Sequence, residues 1–261
     1  MEEPTPRFGN VKISGDRRGN IHGPIRLAHA DSLPHPCFSH GGPRHSRCDG
    51  DLVLDAVTDL VLTTSDGEEL EAIHDKAPNT RGAIVVCHPH PLQGGTMNAP
   101  LIAAIARHAA TDGLDVVRFN FRGVGASTGK HDKGVAELKD VTAAATYASL
   151  LEGGLVGIAG WSFGAAVALN WQANTQSSVP YVGVAPAVRS DLSPTLPDPE
   201  DLPTAQRAFV VGERDQIIDP EALAEYAKAI SARIVTYRGS DHFFVLRHDK
   251  LATDVLRLLA S

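Results

Sequence analysis

The sequence predicts an α/β fold, a largely parallel β-sheet with helices on both faces. Three observations predict it. Short apolar runs alternate with helix-forming segments of about 10 to 18 residues, the pattern of strand–helix–strand crossovers. Two of the runs, Ala83-Ile84-Val85-Val86-Cys87 and Leu155-Val156-Gly157-Ile158-Ala159, hold no charged or hydroxyl side chain, as suits strands buried on both faces. The second run leads through Gly160-Trp161-Ser162-Phe163-Gly164 into the helix former Ala165-Ala166-Val167-Ala168-Leu169, so strand, sharp turn and helix follow in immediate succession.

The elements follow in order. Residues 60–64 and 70–73 read as strands joined by Ser65-Asp66-Gly67, whose Asp-Gly pair is a strong hairpin signal. Residues 83–87 form the first strand of the parallel sheet, 99–110 a helix, and Asp115-Val116-Val117-Arg118-Phe119-Asn120-Phe121 the next strand. A helix is expected over about 134–151, then the strand and helix around Ser162, then a strand over 181–185. A Pro- and Asp-rich connection over 189–204 precedes a strand over 208–212, a helix from Pro220 to about residue 230, a last strand over 233–237 and a closing helix over about 249–259. These elements belong to one domain, residues 51–261.

Residues 1–50 differ in texture. Pro, Gly, Arg, Ser and His dominate and no period is sustained, which reads as a disordered tail. The tail holds His22, His29, His35, His40 and His45 with Cys37 and Cys48, but their spacing matches no familiar zinc site.

Composition narrows the function classes. The 261 residues are 43% hydrophobic, with no apolar stretch near the roughly 20 residues a membrane span needs and no basic-then-apolar leader at Met1-Glu2-Glu3-Pro4. Three cysteines without a Cys-x-x-Cys pair suggest neither a disulfide framework nor a zinc ribbon. A soluble cytoplasmic protein is expected. Its formal charge of -7 argues against nucleic acid or an anionic membrane surface as partner.

Gly-x-Ser-x-Gly between a strand and a helix reads as a nucleophile elbow, with Ser162 as nucleophile. The Phe163 N–H then lies at a helix N-terminus, where unpaired donors and partial positive charge can hold an oxyanion. Reactive groups in open α/β sheets gather at the carboxyl ends of strands. There the sequence offers Glu213-Arg214-Asp215 and Ser240-Asp241-His242. The order Ser162, Asp215, His242 is nucleophile, acid, base, each on its own strand-to-helix loop. Asp219 is better suited to cap the helix at Pro220, Asp241 to local hydrogen bonding, and His248 lies at the approach to the last helix. A second oxyanion donor is expected from His88-Pro89-His90-Pro91-Leu92, with the backbone of His90 as first choice and Leu92 as rival, since Pro91 has no N–H.

Two other patterns are set aside. Gly123-Val124-Gly125-Ala126-Ser127-Thr128-Gly129-Lys130 lacks the first glycine of a phosphate loop, and His131 stands where Ser or Thr belongs, so it reads as a turn. His88-Pro89-His90 has the form of a ligand pair, but no further ligand cluster accompanies it, so neither metal nor cofactor is expected.

With these residues in place, the chain resembles the α/β hydrolase superfamily over about residues 55–261. Cys87-His88-Pro89-His90-Pro91-Leu92-Gln93-Gly94-Gly95-Thr96-Met97-Asn98 is similar to a branch related to dienelactone-hydrolase-like and esterase-like proteins that carries His-Pro-His-Pro followed by Gly-Gly-Thr-Met. Asn120-Phe121-Arg122-Gly123-Val124-Gly125-Ala126-Ser127 resembles the loop those proteins place after the fourth strand. The resemblance implies an eight-stranded sheet whose second strand runs antiparallel, and catalysis by Ser162, His242 and Asp215. The connection over 189–204 is too short for a lid domain, so no large cap is expected. The expected activity is hydrolysis of small or short-chain carboxylic esters, small-molecule acyl substrates, through an acyl-enzyme. Peptidase, amidase or dienelactone-type hydrolysis is the alternative on the same residues. A metal-dependent hydrolase and a non-catalytic binding module are more distant ones.

Overall fold

The computed structural model describes residues 57–260 together with two short strands, β1 (Ser14–Gly15) and β2 (Ile21–His22), which pair antiparallel. The rest of the tail expected over 1–50, with its cysteines, lies outside the described residues, as does the proposed domain start at 51.

Eight strands form the main sheet: β3 (Val57–Thr63), β4 (Glu69–Asp75), β5 (Ala83–Cys87), β6 (Asp115–Phe119), β7 (Leu155–Trp161), β8 (Tyr181–Val184), β9 (Arg207–Gly212) and β10 (Arg233–Tyr237), in the spatial order β10-β9-β8-β7-β5-β6-β4-β3. Only the β3–β4 and β4–β6 pairs are antiparallel. β5, with every residue buried, lies at the centre between β6 and β7. Toward the edge the pattern changes to alternation: Leu60 and Leu62 of β3 and Leu70 and Ala72 of β4 face the core while their neighbours do not. The β3–β4 turn is closed by the Gly67 N–H on the Thr64 carbonyl, with Gly67 at φ 88°, where a side chain would be strained.

Helices α1 (Pro100–Thr111) and α5 (His248–Leu259) pack together, and α2 (Glu137–Ser149) packs on α3 (Phe163–Thr175). The first two turns of α3 are buried on all sides, which is why residues 163–169 carry no polar side chain. α4 (Pro220–Ala229) covers β9 and β10. Asp219 caps it by accepting the N–H groups of Glu221 and Ala222. Between β8 and β9 lies one 3₁₀ turn (Pro199–Asp201) and no cap domain. Among the described residues no helix is long and apolar enough to cross a membrane.

Two boundaries differ from the sequence reading. β6 stops at Phe119: the Asn120 N–H still donates to the Glu71 carbonyl of β4, but the next two N–H groups leave the sheet, that of Phe121 for the His88 ring and that of Arg122 for the Asp140 carboxylate. α2 starts at Glu137 rather than near residue 134, because the Glu137 carboxylate takes the N–H groups of Asp132 and Gly134 and folds that segment into a loop.

Candidate active site

β7 delivers Ser162 to the carboxyl edge of the sheet, and α3 starts at the next residue. Ser162 has φ 53° and ψ −117°, a conformation L-residues rarely adopt. The turn is this tight because two glycines permit it. A β-carbon on Gly160 would lie 2.5 Å from the Ala165 nitrogen, and one on Gly164 would lie 2.3 Å from the His88 carbonyl oxygen. The Ser162 N–H holds the Val184 carbonyl at 2.7 Å, and its own carbonyl accepts from Ala165 and Ala166 at the start of α3.

The loops after β9 and β10 supply the other two groups. Asp215 Oδ1 accepts the N–H groups of Ile217 and Ile218 at 2.9 and 3.0 Å, which leaves Oδ2 for His242 Nδ1 at 2.8 Å. Burial raises the Asp215 pKa, but the His242 hydrogen bond and those two N–H groups outweigh it and hold the carboxyl below its ordinary value. His242 is buried, with Nε2 3.0 Å from Ser162 Oγ. Trp161 Nε1–H donates to the His242 carbonyl at 3.3 Å, which ties the base loop to the elbow strand. The rivals go elsewhere: Asp219 caps α4, Asp241 accepts the Phe243 N–H, and His248 Nε2 meets the Phe243 carbonyl.

Phe163 and His90 both line the cavity that contains Ser162 and His242, and among the described residues neither backbone N–H has a hydrogen-bond partner. Leu92, the rival donor, is committed, since its N–H donates to His90 Nδ1 at 3.2 Å. The His90 and Phe163 rings lie 5.3 Å apart, and His131 contacts both, at 5.0 and 5.2 Å between centroids. Nothing in the local sequence around His131 announces this. Glu137 brings it there by folding residues 132–134, and its Oε1 lies 2.7 Å from His131 Nδ1, close but not aligned as a hydrogen bond.

The cavity has a volume of about 250 Å³. Trp161, Leu192, Ile218 and Phe243 give it apolar walls, and among the described residues no Lys, Arg, Asp or Glu side chain lines it. Cys87, behind the elbow in the central strand, is no competing nucleophile, because burial pushes its thiol pKa up, away from the thiolate. Among the described residues no cluster of three or more His, Cys, Asp or Glu side chains is placed to hold a metal ion. His88 has both ring nitrogens occupied, one against the Pro89 carbonyl and one by the Phe121 N–H.

No protein-family model matches the chain. The uncharacterized protein RP471 of Rickettsia prowazekii is 31% identical over 182 residues, which span 64% of this chain and 74% of that one. Among solved structures, XC6422 from Xanthomonas campestris, described as an α/β serine hydrolase without lid, is 29% identical with a TM-score of 0.68, over 79% of this chain and 94% of that one. An α/β serine hydrolase homologue from Coxiella burnetii is 28% identical with a TM-score of 0.65, over 76% and 95%. The chain belongs to the α/β hydrolase superfamily. The Pyrococcus furiosus esterase Pf2001, 17% identical with a TM-score of 0.66 over 78% of this chain and 92% of its own, shares the fold. Within this α/β hydrolase, the sequence reading gave His88 no role of its own and passed over His131 and Glu137: His88 and His131 meet partners far along the chain, and Glu137 reaches the site only through the nearby backbone of residues 132–134.

Proposed function

We propose that this α/β hydrolase is a serine hydrolase of small, neutral carboxylic esters. The observation that carries the reading is the chain of contacts from Ser162 Oγ to His242 Nε2 at 3.0 Å and from His242 Nδ1 to Asp215 at 2.8 Å, at a serine on left-handed backbone. In this reading His242 takes the Ser162 proton as Oγ attacks the acyl carbon, and Asp215 orients the imidazole and stabilises its charged form. The N–H groups of Phe163 and His90 stabilise the oxyanion, and water then releases the acyl group. The uncharged cavity favours a neutral substrate, because a carboxylate-bearing acyl group would lose hydration and meet no cation there. The enzyme would act in the cytoplasm, on small molecules rather than on nucleic acid or membrane.

A fluorophosphonate probe followed by peptide mapping tests the reading, together with turnover of p-nitrophenyl esters. Labelling at Ser162 with ester turnover is expected. A folded enzyme that neither labels at Ser162 nor cleaves esters would overturn it, and faster cleavage of the matching p-nitroanilide would reassign it to amides.

A further inference from the structure

The peptide linking Pro89 to His90 is trans, so its C=O and N–H point in opposite directions and fixing one aims the other. The ring at φ of Pro89 leaves ψ of Pro89 and φ of His90 as the rotations that could re-aim this peptide. The Pro89 carbonyl is held by His88 Nδ1 at 2.6 Å. The His88 ring is fully buried and does not line the cavity.

The protonation of that ring follows from its other contact. The Phe121 N–H points at His88 Nε2 from 3.0 Å, and a backbone N–H can only donate. Nε2 therefore carries the lone pair, and the proton of the neutral ring sits on Nδ1, where it donates to the Pro89 carbonyl. Burial lowers the His88 pKa to about 4, so the neutral ring persists around neutral pH. The Phe121 ring packs edge-on against the imidazole at 4.8 Å and fixes its orientation. On the far side of His90, its own carbonyl accepts from Gln93 and Gly95 at 3.1 and 3.0 Å. The peptide that carries the candidate oxyanion donor is thus pinned at its carbonyl and at the next one.

We propose that His88 is the positioning residue of the oxyanion hole: its Nδ1–H holds the Pro89 carbonyl and thereby aims the His90 N–H at the oxygen that becomes negative when Ser162 attacks. This rests on the serine-hydrolase reading and adds to it a residue that never touches substrate. Phe121 sets the tautomer, so the end of β6 is coupled to the loop after β5.

Two variants separate positioning from mere packing. His88→Gln places its amide near the Nε2 position, keeping an acceptor for Phe121 but losing the donor to Pro89. His88→Asn places its amide near Nδ1, keeping that donor and losing the acceptor. Loss of an oxyanion donor costs on the order of 10²–10³ in kcat, and the contact matters in the transition state more than in the ground state. His88→Gln is expected to lower kcat about tenfold to a thousandfold with KM within about twofold, whereas His88→Asn keeps most of kcat, with both folded by circular dichroism. Equal kcat losses in the two variants, or losses confined to KM, would overturn the proposal. A direct check uses ¹⁵N-labelled full-length enzyme: long-range ¹H–¹⁵N spectra should show the His88 proton on Nδ1, and a proton on Nε2 instead overturns the clamp whatever the activity. Absence of ester turnover and of Ser162 labelling in the wild type would sink the hydrolase reading, and the oxyanion role with it, while the tautomer measurement judges the clamp by itself.

Discussion

A β-carbon on Gly164 would stand 2.3 Å from the carbonyl oxygen of His88, so the helix after the nucleophile meets the end of the central strand backbone against backbone. Neither partner is a flexible side chain, and relief requires α3 or the loop after β5 to shift. Gly164→Ala should cost stability, about 1–3 kcal/mol for overpacking in a dense region, and should lower turnover further by displacing Phe163 relative to His90. Chemical denaturation and p-nitrophenyl ester kinetics on the same preparation check both. Wild-type stability in the variant would show that the contact yields easily.

Removal of the nucleophile is the sharper chemical test. The Ser162 side chain contacts His242 and lines the cavity, while its backbone bonds hold the turn. Ser162→Ala should therefore keep the fold and lower ester turnover on the order of a thousandfold or more. Near-wild-type turnover by a folded variant would remove Ser162 from the mechanism.

Much of this arrangement is legible in the sequence, for identifiable reasons. The run Ala83–Cys87 reads as a central strand because burial on both faces demands unbroken apolarity, and it is the fully buried centre of the sheet. Ser162, Asp215 and His242 each follow a recognisable strand, and the rule that reactive groups collect at strand ends is enough to place them together. The rest depends on partners that no local pattern encodes. Phe121 continues the apolar pattern of β6, yet its N–H bonds to the ring of His88, 33 residues away. His131 sits in a glycine-rich loop with no period of its own and reaches Phe163 only because Glu137, six residues on, captures the loop backbone.

The loop after β6 rests on a buried ion pair. Arg122 Nε and Nη2 reach Asp140 at 3.0 and 2.6 Å, with both side chains almost completely buried, and Nη1 reaches Asp66 at 3.0 Å. Removing one member leaves the other charge buried and uncompensated. Arg122→Ala should destabilise the fold by about 3–5 kcal/mol, read as a lowered denaturation midpoint at unchanged slope. A loss below about 1 kcal/mol, the ordinary value for an exposed pair, would show that water reaches Asp140.

The buried His88 ring also makes stability depend on pH in a stated direction. Its pKa falls from the ordinary 6.5 to about 4, through burial first and the nearby His90 second, against the raising effect of the Pro89 carbonyl. Between those values the unfolded chain binds a proton on this imidazole and the folded chain does not, so acidification favours unfolding. The penalty is absent above about pH 6.5, grows as pH falls, and is complete below about pH 4, where it reaches about 3 kcal/mol. The stability of the wild type should fall over this window more steeply than that of His88→Gln, which has no proton to bind there. Denaturation midpoints at half-unit pH steps check this, and parallel curves would contradict it.

The last prediction concerns acyl chain length and follows from the size of the cavity. Its volume of about 250 Å³ lies just below the about 300–1,000 Å³ common for ligand sites. The walls near Ser162 are apolar, but Leu192, Ile217 and Phe243 at the rim are each more than half exposed, and among the described residues no cap domain closes over them. Each added CH₂ gains roughly 0.8 kcal/mol only where it leaves water. The first few carbons of an acyl chain can do so against Trp161 and Ile218, while later ones would lie on the rim and stay hydrated. Across a series of p-nitrophenyl esters kcat/KM should therefore rise over short chains, level off and decline, with the optimum well below about ten carbons. Ile218→Ala, which strips part of the buried wall, should weaken the preference among the shortest chains more than it changes cleavage of the longest. An optimum at long chains would mean that they find cover beyond this cavity, for instance in the adjoining cleft that shares Ala187, Ser190, Ile217 and Ile218 with it, and the small-substrate reading would fall.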